Sequence, residues 1–147
     1  MASKNGTKIV GFTSVVGDLL HAGHVEMLNQ CKIHCDILLC GIIADPTVDR
    51  PTKNKPVQSL FERYVQLEAH KAVDKVIPLS GEDDLVLALS MLPIDIRFVG
   101  ADYKGKDHTG IDICNKRGIP IVYLDRWHSL SSTELRERIA EAENGKV

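Results

Sequence analysis

The chain has 147 residues, 44% of them apolar and 26% charged, the composition of one globular domain with a core of its own. Its formal net charge of -2 supplies no global basic field for nucleic acid, so any anion site must be local. No apolar run approaches the roughly 20 residues a membrane span needs, and Met1 to Lys8 is short and polar, without a signal-peptide core. These features predict a cytoplasmic protein with residues 1–7 as a loosely held start.

The elements alternate along the chain. Lys8 to Phe12 reads as a short opening strand. Val25 to Lys32 reads as a helix with Val25, Leu28 and Cys31 on one face. Asp36 to Ile43 is nearly all apolar, the pattern of a central parallel strand buried on both faces. Ser59 to Lys71 reads as a helix with Leu60, Phe61, Tyr64 and Leu67 inward, and Lys75 to Leu79 as a strand. Asp83 to Met91 is helical and stops before Pro93. Ile94 to Val99 is a strand, and Thr109 to Arg117 a helix ended by Gly118. Ile119 to Leu124 is the fifth strand. Ser131 to Glu143 is the last helix, with Ser131 and Glu134 spaced as a capping box. The four cysteines, at 31, 35, 40 and 114, lack the usual zinc spacing and read as buried thiols; no metal ligand set is expected.

The alternation predicts a single α/β domain over residues 1–147. Its fold is Rossmann-like: a five-stranded parallel sheet with helices on both faces. Such sheets bind ligands beyond the carboxyl ends of their strands, where strand order reverses. Chemistry is therefore expected after strands one and four.

Four polar segments lie at strand ends. The first, Thr13 to His24, places two histidines three residues apart at a helix start. They project from one face, Gly23 between them leaves room for a ligand, and the free N–H groups of a helix start suit phosphate. A pair of exposed polar residues or a metal pair has the same spacing. The second, Arg50 to Val57, is a basic, proline-bounded loop carrying Lys53 and Lys55, either a solvated loop or an arm closing on phosphates; Arg63 follows on the next helix. The third, Gly100 to Lys106, holds Gly100 and Asp102 in a turn after strand four. The fourth, Arg126 to Thr133, brings Ser131, Ser132 and Thr133 to the start of the last helix, where hydroxyls cap and free N–H groups bind anions.

Together these segments resemble the cytidylyltransferase-like branch of the HxGH nucleotidyltransferase superfamily, glycerol-3-phosphate cytidylyltransferases among them. Asp18-Leu19-Leu20-His21-Ala22-Gly23-His24 matches the branch's D-L-L-H-x-G-H signature. Arg126 to Thr133 matches the position of its R-x-x-G-I-S-T signature, with Ser129 and Leu130 in place of glycine and isoleucine. Val15 and Gly17 stand where the family has glycine and phenylalanine.

The resemblance implies transfer of CMP from CTP to a small phosphorylated or phosphonate acceptor such as glycerol 3-phosphate, with release of pyrophosphate. It assigns His21, His24, Lys53, Lys55, Arg63 and Arg126 to catalysis. To the nucleotide it assigns Thr13, Ser14, Gly17, Asp18, His21, Gly23, His24, Gly100, Asp102, Arg126, Ser131, Ser132 and Thr133. It further implies Mg²⁺ held mainly through substrate phosphates, and a homodimer. The Gly100-Ala101-Asp102-Tyr103 segment also resembles the adenylyltransferase domain of the ADP-heptose pathway. Transfer of AMP to a sugar phosphate or cofactor precursor is therefore the alternative, and a non-catalytic nucleotide-binding module the lesser one.

Overall fold

Five apolar segments become the strands of one sheet in a computed structural model that describes residues 6–146. In chain order the elements are β1 (Val10–Val15), α1 (Ala22–Ile33), β2 (Ile37–Ile43), α2 (Leu60–Glu68), β3 (Lys75–Leu79), α3 (Glu82–Met91), β4 (Ile96–Gly100), α4 (Ile111–Arg117), β5 (Ile121–Leu124) and α5 (Ser132–Asn144). The sheet is parallel throughout, in the order β3-β2-β1-β4-β5. Its strand order reverses between β1 and β4, the position expected for a ligand crevice. Most of the start expected to be loosely held, residues 1–5, lies outside the described residues.

Side chains alternate across the sheet and build a core on each face. Leu38, Cys40 and Ile42 of β2 join Leu28 and Cys31 of α1 and Leu67 of α2 on one side. Phe12 and Leu39 join Leu85 and Leu89 of α3 and Cys114 of α4 on the other. All four cysteines are free thiols, and burial pushes those of Cys31 and Cys40 up. Pro78 is tolerated in β3 because that strand is at the edge and needs no donor there.

Several boundaries differ from the sequence expectation. β1 runs on to Val15, because every residue from Val10 to Val15 has a partner in β2. Only Gly11 and Phe12 of β1 pair with β4. The two strands therefore part beyond Phe12, and the crevice opens between them. Phe61 was expected inward but is 74% exposed. The inward face of α2 is set by Arg63 and Leu67, four apart, and Phe61 lies on the opposite side of the helix. The full capping box of α2 is formed by Ser59 and Glu62. At α5 only half of the expected box forms: Ser131 Oγ accepts the Glu134 N–H at 3.0 Å, while the Glu134 carboxylate turns to Arg138 at 3.5 Å.

Candidate active site

Helix α1 starts at Ala22 because its first turn is capped by imidazoles. His21 is the N-cap, and its Nδ1 accepts the Gly23 N–H at 3.0 Å. His24, at the third helical position, returns its Nδ1 to the His21 N–H at 3.2 Å. This is a capping box made from two histidines. With Nδ1 accepting in both rings, the neutral tautomer carries its proton on Nε2. The rings lie 3.9 Å apart, centroid to centroid, and tilt by 32°. Burial, the His21 ring and Arg126 push His24 down to about 4. Burial, Arg126 and His128 lower His21 as well. Both residues are therefore neutral hydrogen-bond donors near pH 7.

Gly23 has no room for a side chain. A Cβ there would lie 2.8 Å from His21 Cε1 and 3.0 Å from His128 Cε1. The bare backbone lets the two rings close over the helix start.

The histidines border a cavity of about 190 Å³ at the switch point. Of the residues expected to meet the nucleotide, His21, Gly23, His24, Gly100, Asp102, Arg126, Ser131 and Ser132 line it. A neighbouring cavity of about 250 Å³ is lined by Ser14, Lys53 and Gly100, together with Arg50, Arg97 and Tyr103. Gly100, at the end of β4, borders both cavities.

Six expected site residues lie elsewhere. Thr13 is buried between β1 and β4, where its hydroxyl donates to the Phe98 carbonyl at 3.4 Å. Gly17 lines neither cavity; its φ of +70° lies in the left-handed region and gives the loop its path after Val15. Asp18 is 4% exposed and lies beneath the site. Its carboxylate accepts the N–H groups of Val57 at 3.0 Å and Gln58 at 2.9 Å, and pairs with Arg136 of α5. Burial raises its pKa, but the Gln58 and Val57 N–H groups and Arg136 outweigh this and hold it below the usual carboxylate range.

Arg63 is a correction of the same kind. It is 2% exposed, lines neither cavity, and directs four of its five N–H groups at backbone carbonyls. Nη1 donates to Val16 at 2.9 Å and Ile43 at 2.7 Å, Nη2 to Ala44 at 2.6 Å, and Nε to Gln58 at 3.2 Å. It clamps the ends of β1 and β2 to the start of α2. Lys55 and Thr133 line neither cavity; the Lys55 carbonyl accepts from Arg136 at 3.4 Å.

Among the cavity residues that the sequence reading did not assign are His128, Arg50 and Arg97. His128 lines the histidine cavity, and its Nδ1 accepts the Leu130 N–H at 3.2 Å, which leaves Nε2 free to donate. Its place two residues after Arg126, inside a segment already singled out, was the available signal. Arg50 lines the second cavity, held by Glu82 at 2.7 Å and the Tyr103 hydroxyl at 3.1 Å. Arg97 also lines it, and a lone charge inside an apolar strand was its signal.

The arrangement offers the imidazole donors of His21, His24 and His128, an exposed guanidinium on Arg126 and the start of α5 around one cavity, with a second cavity beside it. Such a set stabilises charge on a phosphoryl group in transfer.

The cytidylyltransferase-like family model matches residues 18–138. The bifunctional protein HldE of Granulibacter bethesdensis is 34% identical over 134 residues, which cover 89% of this chain and 27% of that protein. HldE of Campylobacter jejuni serotype O:6 is 34% identical over 142 residues, 96% of this chain and 30% of the other. The chain thus spans less than a third of the length of these relatives. Among solved structures, a lipopolysaccharide core biosynthesis protein from Thermoplasma volcanium superposes with a TM-score of 0.66 and 25% identity, covering 81% of this chain and 96% of that one. Pantothenate synthetase of Thermus thermophilus shares the fold, with a TM-score of 0.59 at 14% identity over 86% of this chain and 60% of that one. The chain belongs to the cytidylyltransferase-like family of nucleotidyltransferases.

Proposed function

We propose that the protein seats a nucleoside triphosphate in the histidine cavity and a phosphorylated sugar in its neighbour. It then transfers the nucleoside monophosphate from one to the other. The observation that carries this reading is that His21 and His24 line a cavity that shares Gly100 with a second cavity lined by Arg50, Lys53 and Arg97. An acceptor phosphate oxygen attacks the α-phosphorus, the bond to the bridging oxygen breaks, and pyrophosphate leaves. The acceptor is already an anion at neutral pH, so no protein nucleophile or base is needed. The Nε2–H groups of His21 and His24 donate to the α-phosphoryl and bridging oxygens as their charge grows. Arg126 and the first N–H groups of α5 hold the β- and γ-phosphates. Mg²⁺ neutralises charge on those phosphates when bound; Asp102 and Asp125, which line the cavity, are oxygen donors of the kind it takes. Free thiols throughout the described residues support a reducing cytoplasm.

A sugar acceptor is supported by the likeness to a lipopolysaccharide core biosynthesis protein, since that core is built of sugars. The Gly100-to-Tyr103 segment supports ATP as donor, giving an ADP-sugar. The second reading is CTP with an acceptor such as glycerol 3-phosphate, supported by Arg126 and the serine-rich start of α5. Melting curves with ATP, CTP, GTP and UTP, each with Mg²⁺, separate the two. A nucleotide at 100 times its dissociation constant adds about 2.7 kcal/mol. The largest shift with ATP supports the first reading, and the largest with CTP replaces it by the second.

A further inference from the structure

Arg97 is the second residue of β4, paired with Phe12 of β1 and Ile121 of β5. It is 4% exposed, and its Nη1 has no hydrogen-bond partner among the described residues. No carboxylate forms an ion pair with it there; its guanidinium meets the thiol of Cys114 as a weak hydrogen-bond partner, with the ring of Tyr123 and His108 nearby. A guanidinium buried in this way costs several kcal/mol unless an anion compensates it. The fold nevertheless makes space for it. Gly110, at a φ of +87°, carries no Cβ where one would stand 2.8 Å from Nη1. Nη1 itself is shut off from solvent, but Arg97 is one of the residues that line the second cavity.

The two carboxylates on that cavity's wall are already engaged. Glu82 pairs with Arg50 at 2.7 Å, and Asp49 accepts the Glu82 N–H at 2.8 Å. Lys53 adds a further cation at the rim. The cavity therefore carries the cationic side chains Arg50, Lys53 and Arg97 against two carboxylates, neither of which pairs with Arg97. Arg97 does not border the histidine cavity, so whatever it binds is not the triphosphate held there.

We propose that Arg97 is the anion-binding residue of the second cavity and receives an oxyanion of the acceptor. The proposal rests on the reading that this cavity takes the acceptor. Arg97 positions that substrate and takes no part in bond making.

The test fills the histidine cavity with a non-hydrolysable methylene analogue of the triphosphate and titrates inorganic phosphate against wild type, Arg97→Met and Arg97→Lys, reading melting temperature. Arg97→Met is expected to melt at the wild-type temperature or above, because an unpaired buried charge is gone. Phosphate is expected to raise the melting temperature of wild type, to bind Arg97→Met about 10–100-fold more weakly, and to bind Arg97→Lys at an intermediate affinity. Equal phosphate binding by wild type and Arg97→Met, or no binding by wild type, overturns the proposal. If Arg97→Met does not fold, the comparison passes to Arg97→Lys, and undiminished phosphate binding there counts against it. Binding of the analogue is read separately in every protein. Failure of the nucleotide reading is thus distinct from failure at Arg97.

Discussion

His24 caps His21: the Nδ1 of one accepts the backbone N–H of the other at 3.2 Å, and the same contact leaves Nε2 as the ring nitrogen that carries the proton in the neutral form. Helix capping and the proposed catalytic role therefore fall on one pair of rings, and substitution can part them. In His21→Asn the amide oxygen still caps, but the Nε2 donor is lost. This variant is expected to melt near wild type and to lose roughly 10²–10³-fold in kcat. His21→Ala loses both, with a stability cost of about 0.5–2 kcal/mol. Turnover near wild type in His21→Asn would remove the ring from the reaction.

The lowered pKa of His24 has a signed consequence. In the unfolded chain a histidine binds a proton below about 6.5, whereas in the fold His24 does so only near 4. Between these values the unfolded state binds more protons, so stability rises with pH across that window and is lost as pH falls through it. The ring signals of His24 in a ¹H–¹³C spectrum are expected to stay constant from pH 8 to pH 5. A titration midpoint above pH 6 would contradict the buried, neutral donor.

Gly23→Ala inserts a methyl 2.8 Å from His21 Cε1 and 3.0 Å from His128 Cε1. The helix tolerates alanine, so the cost falls on ring placement. A loss of about 10²-fold in kcat is expected, because a displacement near 1 Å costs that much. Steady-state kinetics with an unchanged kcat would show that the rings need not hold these positions.

Arg63 and Arg126 should separate cleanly. Arg63→Met leaves the carbonyls of Val16, Ile43 and Ala44 without their donor and should cost about 2–5 kcal/mol in denaturant unfolding. Arg126→Ala should leave stability unchanged, because the side chain is exposed, and should raise the nucleotide KM about 10–100-fold. The reverse pattern would exchange their assigned roles.

The strand–helix order and the histidine pair were legible because each rests on local spacing. Alternating apolar runs name strands, and two residues three apart on a helix must share a face. Roles that depend on where a long side chain ends were not legible. Arg63 and Asp18 sit at positions the resemblance assigns to ligand contact, yet both point inward and brace the loops around the site. The polar residues Thr13 and Ser14 hid the last residues of β1, whose pairing with β2 is a long-range fact. Arg97 stood out as a lone charge in an apolar strand, but its place on the second cavity depends on the packing of distant elements around β4.

The central claim is nucleotidyl transfer at the histidine pair, and pyrophosphate release tests it most directly. Wild type and His24→Ala are assayed with ATP and CTP, each crossed with sugar phosphates and glycerol 3-phosphate in the presence of Mg²⁺. Pyrophosphate is expected only where a triphosphate and a phosphorylated acceptor are both present, most with ATP and a sugar phosphate, and roughly 10²–10³-fold more slowly in His24→Ala. No pyrophosphate from any pair, or equal rates in the two proteins, would contradict it.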